Sequence, residues 1–435
     1  MSKTSRRTFL KTVGAATAPL IIPARVFGAE APSNRITVGI IGAGRQSHHV
    51  NVPQFLNSPH AQIVAVCDVD AWRAETEKAQ VEAHYARQTG QSYAGCAVYR
   101  DFRDILARDD IDAVMISSPD HWHVPMGIAA ARAGKHISVE KPLSTCIAHG
   151  RLLSDAVDHH GVTSRTDSEF RSLPEMWRAV ECVLNGRIGP LTHMKVGVPG
   201  DSDPIGMPPE MPVPEELDYD LWLGPAFEKP YTEQRVHPVQ DLRSRPGWLR
   251  ISDYTNGMVS NWGTHLNDIA QWANGTDYTG PVSVEGTGAF SEGLWDTIVE
   301  FKLHYTYANG VTLEYEMGRS PGIEFQGEGG WIRTMYRGEV TASDPAILRE
   351  EKDAEDIDLS GTLSDKEDFL QAIRTGAETL QPIEVGHRTV SLCQIGLIAI
   401  QVGRKLEWDP AAERFVNDAE ANALLDISVR GDWLE

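Results

Sequence analysis

A lysine directly behind a carboxylate, at the end of an apolar run, is the feature of this sequence best suited to chemistry. Residues 134–142 read Gly-Lys-His-Ile-Ser-Val-Glu-Lys-Pro. The run His136–Glu140 is short and rich in β-branched residues, which predicts a buried strand with Glu140 and Lys141 at its end. An isolated lysine is usually a solvated surface group. In a crevice, burial disfavours the ammonium form, and the neutral amine can then take a proton from a hydroxyl. A histidine can share that work because its ordinary pKa lies near neutrality. An amine and an imidazole together suit removal of a hydroxyl proton while a hydride leaves the same carbon, and in reverse they stabilise the oxyanion.

A hydride needs an acceptor, and residues 37–47, Thr-Val-Gly-Ile-Ile-Gly-Ala-Gly-Arg-Gln-Ser, supply a place for one. An apolar strand runs into a glycine-rich turn. Gly42 permits the tight turn, and Gly44 lets backbone approach a pyrophosphate whose charge the following helix start, Arg45, Gln46 and Ser47, favours. The third small position of the fingerprint is Ser47 rather than Gly. Asp68 closes the next apolar run 26 residues after Gly42. A carboxylate there accepts from ribose hydroxyls and repels a 2′-phosphate, which favours NAD, whereas Arg45 or Arg73 at a 2′-phosphate would admit NADP. Ser117-Ser-Pro119-Asp-His-Trp-His123 follows a further apolar run, and carboxyl ends of such strands face the ligand crevice. Ser117, Pro119, His123 and Glu140 are therefore assigned to the cofactor side. His121 and His123, two residues apart, lack a third ligand at sensible spacing, so no metal is expected.

These groups need a scaffold that brings strand ends together. Ile36–Ile41, Ile63–Cys67, Ala113–Ser117 and His136–Glu140 alternate with helical patterns such as Pro125–Ala133. That alternation predicts a parallel, doubly wound sheet over residues 32–165. The texture then changes. Residues 199–250 are rich in proline and aromatics without clear period, and long ordered loops of this kind are usually functional. Residues 281–341 give short runs separated by Asn309-Gly310, Pro321-Gly322 and Gly329-Gly330, which predicts an antiparallel sheet. Helices are expected near Ser364–Arg374, where Ser364 and Glu367 form a capping box, and over His387–Leu406. The fold class is thus α/β plus α+β. A Rossmann domain is followed over residues 166–405 by an open, mostly antiparallel sheet domain, and residues 406–435 form a tail that packs back on the body.

The chain has 435 residues, with 40 Lys and Arg against 61 Asp and Glu, a net charge of −21. A surface of that sign excludes nucleic acid and anionic membranes as natural partners. Its five cysteines form no Cys-x-x-Cys pair. Residues 1–31 read as an export segment. Ser5-Arg6-Arg7-Thr8-Phe9-Leu10-Lys11 fits the twin-arginine pattern, a short apolar stretch follows, and Gly28-Ala29-Glu30-Ala31 offers a cleavage site. The twin-arginine translocase is then a partner during export, and the destination is periplasmic, or the outer face of the cytoplasmic membrane. Twin-arginine carriers move folded proteins, so an exported dinucleotide enzyme must hold its cofactor tightly.

Taken together, Gly42–Ser47, Asp68, Pro119–His123 and Glu140-Lys141-Pro142 resemble the Gfo/Idh/MocA oxidoreductases, the glucose–fructose oxidoreductase and inositol dehydrogenase family. The segment 257–268 resembles that family's second signature, in which His265 matches the catalytic histidine and Asp268 the acid that follows. Where the family commonly carries Asp, this chain has Asn261, which keeps shape and hydrogen bonding but loses the charge. The resemblance implies Lys141 and His265 as the acid–base pair, with Asn261 orienting substrate hydroxyls. It also implies substrate contacts from Glu169 and Arg171, and from Tyr231, Arg235 and His237 in the aromatic-rich loop, together with Asp268. A homo-oligomer, dimer or tetramer, assembled through the open sheet is a further implication.

Three functions follow as expectations. The first is an NAD(P)-dependent oxidoreductase acting on a secondary hydroxyl of a sugar, glycoside or cyclitol. The second is a redox-neutral glycosidase or lyase working through a 3-keto sugar. The third is a sugar-binding protein that retains the fold without catalysis.

Overall fold

The computed structural model describes residues 34–201, 203–349 and 355–435. The export segment read in residues 1–31 lies outside the described residues. The first sheet has six parallel strands: β1 (Ile36–Ile41), β2 (Ala61–Cys67), β3 (Ala97–Tyr99), β4 (Ala113–Ile116), β5 (His136–Glu140) and β6 (Ser164–Asp167). Their spatial order is β3-β2-β1-β4-β5-β6. The order reverses beside β1, so a crevice opens between the carboxyl ends of β1 and β4, and the strand ends bearing Gly42 and Ser117 face it. Strands β1 and β4 are almost wholly buried, as continuous apolar runs covered on both faces must be. The expected helix at Pro125–Ala133 forms as His123–Arg132.

The second sheet has nine strands. They are β7 (Leu191–Val198), β8 (Ser283–Phe290), β9 (Ile298–Thr306), β10 (Thr312–Met317), β11 (Gly322–Gly327), β12 (Gly330–Met335), β13 (Val340–Ala342), β14 (Leu406–Asp409) and β15 (Arg414–Phe415). Their order is β13-β12-β11-β7-β10-β9-β8-β14-β15. All pairs are antiparallel except β7 with β10. Asn309-Gly310 closes the β9–β10 hairpin and Gly329-Gly330 closes β11–β12. Pro321-Gly322 does not close a hairpin, because β7 lies between β10 and β11. Strand β7 alternates over its second half, with Met194, Val196 and Val198 buried, and it holds a central place in the sheet.

Residues 199–250 contain the short helix Tyr219–Leu223 and a 3₁₀ turn, Gly247–Arg250. Leu217, Trp222, Leu223, Tyr231, Val236, Ile251 and Tyr254 form a small core of their own beneath this loop. The proline-rich segment is therefore ordered by aromatic burial rather than by periodic structure.

The expected division at residue 166 is not how the packing divides. The helix Asp365–Thr375 returns to the first domain, where Phe369 and Leu370 share a core with Ile36, Val38 and Met115. Ser364 caps this helix, its Oγ accepting from the Glu367 amide at 3.4 Å. The last long helix spans Ile383–Val402 rather than His387–Leu406. Pro382 sets its start, and Gly403, at φ +68°, ends it in the left-handed conformation that glycine adopts at low cost. Its first half packs Ile383 and Val390 against the Rossmann layer, and its second half packs Leu392, Ile395 and Ile398 against the large sheet. Two glycines permit this double contact. A Cβ at Gly386 would strike Thr166 on β6, and one at Gly396 would strike Tyr305 and Leu303 on β9. The tail also crosses both layers. Strand β14 pairs with β8, and Trp433 meets the ring of Trp122 in the first domain at 4.8 Å.

Overpacking either glycine forces side chains off their rotamers. Gly386→Ala and Gly396→Ala are each expected to lower unfolding stability by about 1–3 kcal/mol, measured by urea titration at constant m-value.

Candidate functional site

At the crevice, Gly42 has φ +94° and its amide donates to the Cys67 carbonyl at 2.8 Å. A Cβ there would lie 2.7 Å from the Ser117 carbonyl carbon, so β1 and β4 can approach this closely only with glycine. Gly44 differs. A Cβ there meets nothing within 4 Å, and the residue lines a cleft of about 370 Å³. That open space beside the first helical turn is the cradle a pyrophosphate needs. Asp68 braces the turn. Its Oδ2 accepts from the Ala43 amide at 2.6 Å and its Oδ1 from the Asp70 amide at 2.8 Å, and burial raises its pKa. Asp68 lines the cleft. Arg73 donates to the carbonyls of Pro238 and Asp241, at 3.1 and 2.9 Å, and Arg45 donates to the Arg243 carbonyl at 3.0 Å. Arg73 is buried and committed to these partners, whereas Arg45 is exposed. The donor set around Asp68 fits a dinucleotide with free ribose hydroxyls.

Gln46, Ser117, Pro119, His123, Glu140, Lys141 and Asn261 line the same cleft. Ser47 does not. It is fully buried in the helix that follows the turn, too deep to touch a ligand. Lys141 is half-buried, and its Nζ donates to the backbone carbonyl of Asn261 at 3.2 Å. Burial lowers its pKa, and the carboxylates of Glu140 and Asp120 oppose that shift. Asp120 accepts from Thr255 Oγ1 at 2.7 Å, and burial pushes its own pKa up to about 6. Glu140 accepts from Asn51 Nδ2 at 2.9 Å. His121 contacts the Trp222 carbonyl at 3.2 Å, while the two ring nitrogens of His123 face the carbonyls of Pro142 and Ser118 at 2.8 and 2.9 Å. Both rings are thus engaged by backbone.

His265 approaches from the second domain. Its Nδ1 is 3.1 Å from Ser168 Oγ, and its ring stacks on Phe170 at 4.3 Å. Burial, then the Lys141 charge, hold its pKa well below the usual histidine value, so the ring is neutral. His265 feels the Lys141 charge, although it does not line the cleft. Glu169 is half-buried and senses the Lys141 charge, although it does not line the cleft.

Several expected substrate contacts are placed elsewhere. Arg171 and Asp268 are 2% and 0% exposed and form a two-pronged ion pair, at 2.8 and 2.7 Å, with Asp277 on the outer side of the guanidinium. They lock the helix Gly263–Ala273 to the segment after β6 and cannot reach a substrate. Tyr231 is buried in the small loop core. Arg235 is buried and donates to the Pro230 carbonyl at 3.1 Å. His237 does line the cleft, but its Nε2 is held by Asp70 at 3.1 Å, at the Asp68 end rather than beside Lys141. In each case an arginine or aromatic in a polar loop found a protein partner first. Trp248 and Arg245 line the cleft and were not expected. Arg245 also helps depress the Lys141 pKa. The tetrad Arg245-Pro-Gly-Trp248, polar donor beside aromatic, carried the only sequence signal for them.

Residues 36–167 match the family described as "Oxidoreductase family, NAD-binding Rossmann fold", and residues 206–435 match its "C-terminal alpha/beta domain". The chain belongs to the Gfo/Idh/MocA oxidoreductase family. Its first domain is the family's NAD-binding domain. Among curated members of the family, a glycosyl hydrolase family 109 protein of Shewanella sp. (strain W3-18-1) is 34% identical over 216 residues, 44% of this chain and 45% of that protein. The chain thus spans about half the length of the curated relatives it matches. Among solved structures in the family's fold, levoglucosan dehydrogenase in complex with NADH and levoglucosan aligns at 20% identity and a TM-score of 0.59, covering 86% of this chain and 99% of that one. Aldose-aldose oxidoreductase of Caulobacter crescentus aligns at 18% identity and a TM-score of 0.61, with the same coverage of both chains.

Two variants separate the cradle from the scaffold. Gly44→Ala is expected to leave the unfolding free energy within about 0.5 kcal/mol, since the new methyl group strikes nothing, while weakening NAD binding at least about tenfold by calorimetry. Asp268→Asn leaves Arg171 underpaired in a buried site and is expected to cost about 3–5 kcal/mol in denaturant unfolding.

Proposed function

We propose that this protein oxidises a secondary hydroxyl of a sugar, glycoside or cyclitol, with NAD held in the cleft. The carrying observation is the Lys141 amine, half-buried beside the open cradle at Gly44 and bonded only weakly to a backbone carbonyl. Bound dinucleotide supplies the hydride acceptor. Lys141 takes the hydroxyl proton and His265, neutral and held by Ser168, shares or relays it. Asn261, which lines the cleft, orients neighbouring hydroxyls. Trp222, Trp248 and Trp262 line the cleft and give apolar platforms for the faces of a sugar ring. The carbohydrate named for the levoglucosan-bound relative supports the substrate class.

A second reading is favoured by one residue and one relative. Asn261 replaces the carboxylate that would hold the pair cationic, and the aligned Shewanella relative is named for glycoside hydrolysis. Here oxidation at C3 acidifies the C2 proton, elimination expels the aglycone, and water addition with reduction of the ketone completes a redox-neutral cycle. Retention of the cofactor between turnovers suits both readings, and the twin-arginine motif Ser5–Lys11 supports a periplasmic site of action reached through the translocase. Phe290, Val299 and Trp331, exposed on the second sheet, support a homo-oligomer built on that face. The third reading, sugar binding without turnover, requires Lys141 to be dispensable.

Lys141→Met is expected to lower kcat by about 10²–10⁴-fold with the fold intact by circular dichroism. Unchanged turnover in the variant would remove Lys141 from the base role, and no turnover by the wild-type holoprotein on any sugar of a panel would leave only the binding reading. In the same assay, stoichiometric NADH release supports net oxidation, and glycoside cleavage without NADH supports the redox-neutral cycle.

The pH profile adds a signed test. A base works only when deprotonated, so kcat/KM falls as pH drops through the Lys141 pKa, and burial puts that limb below the ordinary lysine range. Asp120 raises the Lys141 pKa by its charge. Asp120→Asn is therefore expected to move the acid limb to lower pH, and a shift in the opposite sense would remove Lys141 from the base role.

A further inference from the structure

We propose that Cys146, His149 and Asp426 form a zinc-type metal site that clasps the C-terminal segment to the loop carrying Lys141. Their ligand atoms lie within 4.8 Å of one another, the one such group of three among the described residues. Thiolate, imidazole and carboxylate together suit Zn²⁺, a borderline-soft cation that takes four ligands in tetrahedral array. His149 Nε2 is already 3.2 Å from Asp426 Oδ1. Cys146 and His149 are 4% and 6% exposed, whereas Asp426 is exposed and closes the site from outside. The Cys-x-x-His spacing follows from the helix Ile147–His160, because Cys146 immediately precedes it and His149 occupies its first turn.

Charge favours an ion over an empty pair. A thiolate and a carboxylate balance a divalent cation, so the occupied site is neutral where it is buried. Binding deprotonates the thiol: a metal–sulfur bond forms, the S–H bond breaks, and one proton passes to solvent. The fourth position opens toward a cavity of about 210 Å³ that Cys146 and Asp426 both line, where a water completes the tetrahedron.

The placement gives the clasp its consequence. Cys146 lies five residues after Lys141. Ala148 donates to the Leu425 carbonyl at 3.0 Å across the same junction, and beyond Asp426 the tail reaches Trp122 on the cleft wall through Trp433. An exposed carboxylate paired with one imidazole is worth little by itself. A metal bond at that point ties the tail to the catalytic loop.

The test uses the full chain, stripped with a chelator and titrated with Co²⁺ and then Zn²⁺. The expected result is one ion per chain by elemental analysis, a thiolate-to-cobalt charge-transfer absorption that Zn²⁺ abolishes, and a higher thermal midpoint with Zn²⁺. Cys146→Ser is expected to lose the absorption, and both it and Asp426→Asn to weaken Zn²⁺ at least about tenfold while NAD binding persists. NAD binding by both variants reports that they are folded. The proposal is overturned if wild type gives no thiolate–cobalt absorption, if that absorption survives in Cys146→Ser, or if both variants bind Zn²⁺ as tightly as wild type.

Discussion

One buried ammonium group joins the end of β6 to the helix that returns to the first domain. Lys366, 1% exposed, enters from the helix Asp365–Thr375 and is paired with Asp167 at the end of β6 and with Asp365 at 3.3 Å. Those carboxylates, with Glu140, keep it charged against desolvation. Asp167 also accepts from Ser138 on β5 at 2.9 Å, and Arg165 pairs with Asp368. Removing the cation would leave carboxylates facing one another without water, which is far costlier than the pair's net worth. The ends of β5 and β6, the returning helix and the residue before Lys141 are thereby fixed as one unit.

The electrostatics of Lys141 follow from that unit. Glu140 raises the Lys141 pKa, but Glu140 is also engaged by Asn51 and by the Lys366 charge. Burial, helped by the Arg245 charge, outweighs the fields of Glu140 and Asp120 at Lys141, and the amine is thereby biased toward its basic, neutral form. His265 is treated in parallel: among the described residues no carboxylate is bonded to it, and Ser168 and Phe170 orient its ring.

Much of the first domain was legible because local and tertiary signals agree there. The runs ending at Ile41, Ile116 and Glu140 are strands buried on both faces, and continuous apolar sequence has few other outcomes at that length. Gly42 and Asp68 were legible for the same reason, since a tight turn and a strand-end acid have local signatures. The partners of Arg171, Arg235, Tyr231 and Asp268 are not legible, because a polar side chain carries no mark of which partner it will meet. Asp277, which lies beside Arg171 in space, is 106 residues away in sequence. Lys366 escaped notice since its partner Asp167 is 199 residues away. The Cys-x-x-His spacing at residue 146 was local, yet the third ligand, Asp426, comes from the other end of the chain.

The return of residues 365–390 to the first layer sets the order in which the molecule can be completed during synthesis. Phe369 and Leu370 complete the apolar centre around Ile36 and Val38, and Lys366 completes the charge pattern beneath Glu140. Domains usually close as they leave the ribosome, starting from the amino end. Here the amino-terminal layer stays unfinished until most of the polypeptide has emerged, so cofactor capture belongs to the nearly full-length chain and not to a nascent intermediate.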